Sequence, residues 1–298
     1  MDIKEFIKTI RIIHWSKNSL IFLGFFIALI ITRFVFSTSD IVNVFLLFIS
    51  FSLISSGNYL LNDYVDRDFD KHHEIKKNRL ISLGKISRIN FFLLVSSFLI
   101  LGLFLNFLIG KIVIFFSGGL FILFAILYNV RPIRLKDKPI FDVLLESANS
   151  PLRFICGFLL LIPKTPSVFM VSFLYFYTAI LMNSKRLAEY VVLGKKKAIK
   201  YRKVFKFYNI KRLMFLFVIY FLFTLLSLLV LIFKYHFYMF FIPLILFAVQ
   251  LFCYLKLSLK GDPSVQKPVY IYKNLSFLVY SLSVVSISVL LILLRVIY

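Results

Sequence analysis

The sequence predicts an all-α polytopic membrane protein with about nine transmembrane helices. Hydrophobic residues make up 61% of the 298 residues, 38 of them Phe, and the mean hydropathy is +0.93. An ordinary soluble domain is only about half apolar. We expect one transmembrane domain over residues 1–298. Nine apolar runs approach the roughly 20 residues that a spanning helix needs, and they lie near residues 19–36, 41–61, 90–108, 112–130, 139–162, 166–183, 213–233, 237–255 and 276–297.

The first run follows a basic segment and lacks a small-residue cleavage site, so we expect a retained helix and not a signal peptide. The formal net charge of +23 then predicts how the helices are oriented, because the charge follows the loops in strict alternation. Thirty of the 36 Lys and Arg residues lie in five segments, 1–18, 62–89, 131–138, 184–212 and 256–275. Lys and Arg mark cytoplasmic loops. We therefore expect a plasma (inner) membrane protein with a cytoplasmic N-terminus and an external C-terminus, and no nucleic-acid partner.

The second run ends in an acidic motif, Asn62–Asp70, in a chain that has few other acids. At about 100° per residue, Asp63, Asp66 and Asp70 share one face of a helix, while Asp68 points away from them. Mg²⁺ usually binds one or two carboxylates together with phosphate oxygens. The motif therefore predicts a cytoplasmic site for Mg²⁺ and a diphosphate, in which these three aspartates are metal-binding and catalytic. The amide oxygen of Asn62 is expected to complete the shell.

The loop after this motif is basic and includes His73, Lys76 and Arg79. Such a loop suits a substrate whose phosphates are bridged by Mg²⁺ on one side and held by Lys and Arg on the other. The alternative is a solvated cytoplasmic loop that follows the positive-inside rule. His73 is either a general acid or an exposed loop histidine.

The fifth run contains three ionisable residues, Asp142, Glu146 and Arg153. A charged side chain at bilayer depth costs at least about 2–3 kcal/mol and normally faces a cavity. We expect Arg153 to contact a ligand, while Glu146 is as well explained by a buried ion pair. The two cysteines, Cys156 and Cys253, lie in apolar runs and are interpreted as small buried hydrophobic residues.

The sixth run is followed by a strongly basic segment, 184–212, with 11 Lys and Arg residues and Glu189 as its only acid. A second metal site made of carboxylates cannot be built from this loop. Lys185 and Glu189 are four residues apart and can pair along one helical turn, which would orient Arg186 toward an anionic ligand. For Lys195 and the two lysines that follow it, we favour a membrane anchor beside anionic headgroups.

These motifs resemble the UbiA superfamily of intramembrane prenyltransferases, whose NDxxDxxxD motif matches Asn62 to Asp70. The resemblance covers the whole chain and implies a helical bundle around a cavity open to the cytoplasm and the lipid. Prenyltransferases of this superfamily also carry a second aspartate-rich motif, which the basic segment 184–212 lacks.

The closer resemblance is to the decaprenyl-phosphate phosphoribosyltransferase branch. Four segments support it: Arg11, Trp15, Lys17 and Asn18; Asp63 to Arg79, with Glu74 and Leu80 in place of two prolines; Tyr128, Lys136 and Asp142, with Arg153 further on; and Lys185, Arg186, Ala188 and Glu189, followed by Arg202. Ile12 also replaces a proline of the N-terminal pattern.

This resemblance implies an Mg²⁺-dependent transferase of cell-envelope biosynthesis. It would move 5-phosphoribose from 5-phosphoribosyl diphosphate to a polyprenyl phosphate lipid and release diphosphate. The third phosphate of that donor would need an extra basic pocket. The implied substrate-binding residues are Lys17, Asn18, Asn62, His73, Lys76, Arg79, Tyr128, Lys136, Asp142, Arg153, Lys185, Arg186, Glu189 and Arg202.

Two other functions fit parts of the pattern. A prenyltransferase would move an isoprenoid from its diphosphate to an aromatic or lipid acceptor and would use the same first aspartate motif. A transporter or flippase for phosphorylated lipids would use the basic residues for binding only. The clustered carboxylates argue against the transporter, because without Mg²⁺ they would repel its ligand.

Overall fold

The computed structural model describes residues 9–70, 87–266 and 274–297, without the side chains of 68–70, 293 and 295–297. The elements in these ranges are helical, which confirms the all-α class. The helices are α1 (Leu20–Ile31), α2 (Thr38–Asp70), α3 (Arg88–Leu108), α4 (Ile112–Asn129), α5 (Phe141–Phe158), α6 (Val168–Tyr201), α7 (Ile210–Lys234), α8 (Phe241–Leu259), α9 (Pro263–Gln266) and α10 (Leu275–Ile297). Short 3₁₀ helices cover Ile12–Ser19, Leu135–Asp137, Lys203–Lys206 and Tyr238–Phe240.

Within the described ranges, eight helical segments are long and apolar enough to cross a membrane, so the chain is a multi-pass membrane protein. The first of them, Ile12–Ile31, begins in a 3₁₀ helix, several residues earlier than the run expected at 19–36. The fifth predicted run, 139–162, forms α5, which is 18 residues long and is not among the eight. Its three ionisable residues, Asp142, Glu146 and Arg153, lower its apolar character.

The helices pack into two compact units. The first unit is built from the described parts of Met1–Lys136 and from Asn149–Thr165. The second is built from Asp137–Ala148 and the described parts of Pro166–Tyr298. Helix α5 therefore contributes its first turns to the second unit and its last turns to the first.

The first unit is held together by an apolar core and by a close approach of α1 to the last turns of α5. Its core includes Phe51 and Phe121, which stack with ring centroids 5.2 Å apart. A Cβ atom on Gly24 would lie 2.0 Å from the carbonyl oxygen of Phe154, and one on Gly157 would lie 1.9 Å from that of Ile21. Only glycine fits at these two positions, as is common where membrane helices touch through their backbones.

Two helices are longer than a bilayer requires. Helix α2 has 33 residues and α6 has 34, whereas about 20 residues cross the hydrocarbon core. Helix α6 is kinked at Gly194, whose φ of 66° is left-handed. Each helix is therefore longer than the hydrocarbon core, and the polar motifs lie on its last turns.

In the second unit, Ala179, Ile180, Phe217 and Leu251 form one apolar cluster. A second cluster joins α6 to the turn after it through buried residues that include Leu187, Phe205, Tyr208 and Leu213. This packing buries Tyr208 and places its phenol beside the start of α5.

Candidate functional site

The centre of the first unit's polar site is the ion pair between Asp66 and Lys136. The Lys136 ammonium donates to both carboxylate oxygens of Asp66, each at 2.7 Å. It also donates to Oδ1 of Asn129 at 3.1 Å and to Oδ1 of Asn62 at 3.3 Å. Four oxygen atoms from three residues thus surround one cationic nitrogen. The pair is shielded from solvent, since the Lys136 side chain is 7% exposed and that of Asp66 is 17% exposed.

A second cation contacts the same carboxylate. Nη2 of Arg134 lies 2.9 Å from Oδ1 of Asp66, and Nη1 donates to the backbone carbonyl of Asn129 at 3.4 Å. Asn129 is the last residue of α4 and donates its own amide to the carbonyl of Ala125 at 3.0 Å. The end of α4 and the segment after it therefore carry both cations and one of the oxygen donors.

Asp63, one turn earlier on α2, contacts the N-terminal segment. Nη2 of Arg11 donates to its Oδ1 at 2.5 Å, and the same guanidinium lies 5.0 Å from the ring centroid of Tyr59. Trp15 donates to the hydroxyl of Ser56 at 3.0 Å, so the 3₁₀ helix that contains Trp15 is fixed along α2. Asp63 itself is buried.

A third group in this unit joins Asn18 to Arg153. Nε of Arg153 donates to Oδ1 of Asn18 at 2.6 Å, and the Asn18 amide donates to Ser52 at 2.9 Å. The guanidinium of Arg153 also lies 4.6 Å from the ring centroid of Phe121. Both predicted residues, Asn18 and Arg153, are buried.

The second unit holds a buried ionic network centred on Asp142 and Arg186. Nε of Arg186 donates to Oδ2 of Asp142 at 2.8 Å, and the Tyr208 hydroxyl donates to Oδ1 at 2.7 Å. The backbone N–H of Ile140 donates in turn to the Tyr208 oxygen at 2.6 Å. Burial raises the pKa of Tyr208 above its usual value, and the neighbouring Asp142 charge raises it further. Tyr208 is therefore a neutral donor at physiological pH.

Glu189 extends this network. Its Oε2 accepts from Nη1 of Arg186 at 3.3 Å and lies 3.6 Å from Nε of Arg202. Both acids of this network are thus neutralised by arginines. The structure places Arg186 between Asp142 and Glu189, and its predicted contact with an anionic ligand stays a prediction.

The remaining predicted residues are placed as follows. Lys17 is exposed, whereas Tyr128 and Lys185 are half-buried, and Lys195 and the two lysines after it are exposed beyond the kink in α6. Asp70 belongs to α2 by its backbone, but its side chain lies outside the described part, as do His73, Lys76 and Arg79 entirely. Sequence reasoning did not assign a site role to Arg11, Asn129, Arg134 or Tyr208.

The oxygen atoms around Lys136 are of the kind that hard divalent cations bind. The structure surrounds a positive charge with them, so the donors of Asn62 and Asp66 fit a magnesium role. Among the side chains that the structure describes, no three His, Cys, Asp or Glu residues form a metal-binding group. Because the Asp70 side chain is not among them, the three-carboxylate arrangement stays a prediction.

Comparison with known proteins identifies the fold. The sequence model described as the UbiA prenyltransferase family matches residues 18–282. A UbiA homolog from Archaeoglobus fulgidus bound to DMAPP and Mg²⁺ is similar with a TM-score of 0.70 and 19% identity, covering 95% of this chain and 99% of that one. The same homolog bound to GPP and Mg²⁺ gives a TM-score of 0.67 at 19% identity and the same coverage. A structure of digeranylgeranylglyceryl phosphate synthase gives 0.65 at 18% identity, covering 95% of this chain and 98% of that one.

A curated relative is also similar in part. Uncharacterized protein y4nM from Sinorhizobium fredii (strain NBRC 101917 / NGR234) is 29% identical over 175 residues, which are 58% of this chain and 32% of that protein. The chain therefore matches about a third of the length of this relative. The matches to solved structures establish a shared fold, which agrees with the eight membrane-crossing helices.

Proposed function

Since this chain belongs to the UbiA prenyltransferase family, we propose that it is an Mg²⁺-dependent transferase of a specific kind. It moves 5-phosphoribose from 5-phosphoribosyl diphosphate to a polyprenyl phosphate. It acts in the plasma (inner) membrane with its site facing the cytoplasm, in agreement with the Lys and Arg distribution. The tail of the lipid acceptor lies in the bilayer.

The observation that carries this proposal is the arginine-centred network of the second unit. Arg186 is only 3% exposed and lies between Asp142 and Glu189. An isoprenyl transferase of this family would be expected to use a second set of carboxylates for metal binding. Here the two acids are engaged by the guanidinium groups of Arg186 and Arg202, and this supports phosphoribosyl transfer over a reaction that needs a second carboxylate metal site. Lys185 and Arg202 are assigned to substrate binding on the family resemblance.

The chemistry follows from the residues around Asp66. Asp63, Asp66 and Asp70, with the amide oxygen of Asn62, would hold Mg²⁺, which when bound supplies positive charge to the leaving diphosphate. Lys136 and Arg134 stabilise the negative charge that spreads over the diphosphate as its bond to C1 of the ribose breaks. A phosphate oxygen of the lipid forms the new bond to C1, and the diphosphate leaves with the electrons of the broken bond. This oxygen is already anionic, so the reaction requires no general base.

The remaining buried groups position the substrates in this proposal. Arg153 is held by Asn18 and is a candidate contact to the lipid phosphate. Arg11 fixes the N-terminal segment against Asp63. Lys17 and Tyr128 are assigned to substrate binding on the family resemblance.

A second candidate function is isoprenyl transfer from a diphosphate donor to an aromatic or lipid acceptor. It is favoured by the homolog structures that hold GPP or DMAPP with Mg²⁺. The Asn62 to Asp66 face would serve that reaction equally well, because both donors present a diphosphate. The two functions differ in the carbon that is attacked, C1 of a ribose or an allylic carbon.

The experiment that tests the proposal supplies purified protein in detergent with Mg²⁺, polyprenyl phosphate and 5-phosphoribosyl diphosphate, and detects phosphoribosylated lipid by mass spectrometry. A parallel reaction supplies a prenyl diphosphate and an aromatic acceptor. Product in the first reaction alone supports phosphoribosyl transfer. Product in the second reaction alone overturns it in favour of isoprenyl transfer.

A further inference from the structure

We propose that Lys136 couples metal binding to diphosphate binding. Its ammonium lies on the oxygen atoms that the metal would coordinate, and a diphosphate is required to draw it away. Mg²⁺ and diphosphate therefore bind together, and the metal alone binds weakly. This inference rests on the proposed function of the Asn62 to Asp66 face.

The Lys136 ammonium contacts each of the metal-binding oxygen atoms that Asn62 and Asp66 supply. Both oxygens of the Asp66 carboxylate are 2.7 Å from the Lys136 nitrogen, and Oδ1 of Asn62 is 3.3 Å from it. Asn129 supplies a further oxygen at 3.1 Å. A divalent cation that coordinates Asp66 must therefore compete with the ammonium, because two positive charges held at the same carboxylate repel each other.

Moving the Lys136 ammonium away from Asp66 is unfavourable unless the ammonium gains another anionic partner. The Lys136 side chain is 7% exposed, so water compensates poorly for the loss of its carboxylate partner, and a nearby Mg²⁺ would repel it. Arg134 on Oδ1 of Asp66 adds to this repulsion. A diphosphate changes the balance, because its oxygens accept from Lys136 and Arg134 while others bind the metal. Each ligand thus raises the affinity for the other, and this coupling is reciprocal.

Mn²⁺ is a suitable probe, because it prefers the same oxygen ligands as Mg²⁺ and its free fraction is measured by electron paramagnetic resonance. The full-length protein in detergent is titrated with Mn²⁺ alone and with Mn²⁺ plus methylene diphosphonate, with protein-free titrations to correct for chelation. The variants are Lys136→Met and Arg134→Gln. Lys138→Met is the matched control, because Lys138 lies two residues away and is exposed.

We expect the wild-type protein to bind Mn²⁺ at least about tenfold more tightly with the diphosphonate than without it, within the usual range of coupling between sites. Lys136→Met should bind Mn²⁺ alone about tenfold more tightly than wild type and lose most of the coupling, and Arg134→Gln should change in the same direction by less. Lys138→Met should match wild type. If Lys136→Met does not fold, Arg134→Gln and the wild-type comparison still decide the question.

Equal Mn²⁺ affinity of the wild-type protein with and without diphosphonate would overturn the coupling. The coupling would also be overturned if Lys136→Met bound Mn²⁺ alone no better than Lys138→Met does. If Lys136→Met does not fold, the same result for Arg134→Gln would overturn it. These readouts measure binding and need no turnover. Coupled binding without phosphoribosyl transfer would therefore refute the proposed reaction and support the coupling. Phosphoribosyl transfer without coupled binding would support the reaction and refute the coupling.

Discussion

Replacement of Arg186 by Met tests the buried network of the second unit most severely. The substitution removes the donor to Asp142 at 2.8 Å and the donor to Glu189 at 3.3 Å, while the Asp142 side chain is 0% exposed. Removing one partner of a buried ion pair costs about 3–5 kcal/mol. Because Tyr208 still donates to Asp142, we expect the lower end, about 3 kcal/mol. At about 2–4 °C per kcal/mol, the Tm should fall by roughly 6–12 °C.

The assay is thermal unfolding in detergent, followed by circular dichroism, with Arg131→Met as the control because Arg131 is exposed. The double variant Asp142→Asn with Arg186→Met should lose less stability than the two single variants added together, by about 0.5–3 kcal/mol. An Arg186→Met protein that melts within about 1 °C of the control would show that the Asp142–Arg186 pair does not stabilise the fold. Strictly additive losses in the double variant would lead to the same conclusion.

Two further predictions follow from the packing. Gly157→Ala should destabilise the protein, because the new Cβ would lie 1.9 Å from the carbonyl oxygen of Ile21. Gly119→Ala should instead stabilise it by up to about 1 kcal/mol, because nothing lies within 4 Å of the new Cβ. Equal Tm values for the two variants would contradict the close approach at Gly157. The raised pKa of Tyr208 means that the folded state retains this proton where the unfolded state has lost it. Its contribution to stability is therefore complete below pH about 10 and falls above it. Denaturant unfolding at pH 8 to 11 should show a steeper loss for wild type than for Tyr208→Phe, and parallel curves would argue against a burial effect.

Much of the architecture was predictable because membrane-spanning helices need long apolar runs. Eight of the nine predicted runs correspond to segments that can span the bilayer. The exception is the fifth run, in α5, which is interrupted by Asp142, Glu146 and Arg153 and whose helix is divided between the two units. The close approach of Gly24 and Gly157 to neighbouring backbone was not predictable, since nothing local in the sequence says which helix each glycine faces.

The candidate site was predictable on α2, where helical periodicity alone places Asp63 and Asp66 on one face. The partners of these aspartates were harder to identify. Asn129 and Arg134 meet the Asp66 cluster from more than 60 residues away, and a single sequence carries no signal of such pairing. The YNVRPIRLKD segment that contains them was assigned to the site only through Tyr128 and Lys136.

Asp66→Asn shows whether the face of α2 that carries Asn62, Asp63 and Asp66 catalyses transfer from a diphosphate donor. The matched control is Asp40→Asn on the same helix, about 39 Å away at 1.5 Å per residue, where Asp40 accepts from the backbone N–H of Ser37. With Mg²⁺, polyprenyl phosphate and 5-phosphoribosyl diphosphate, we expect wild type and Asp40→Asn to form phosphoribosylated lipid. Asp66→Asn should lose at least about a hundredfold in rate while remaining folded. Near-full activity of Asp66→Asn would show that the Asp66 carboxylate is not part of the catalytic site.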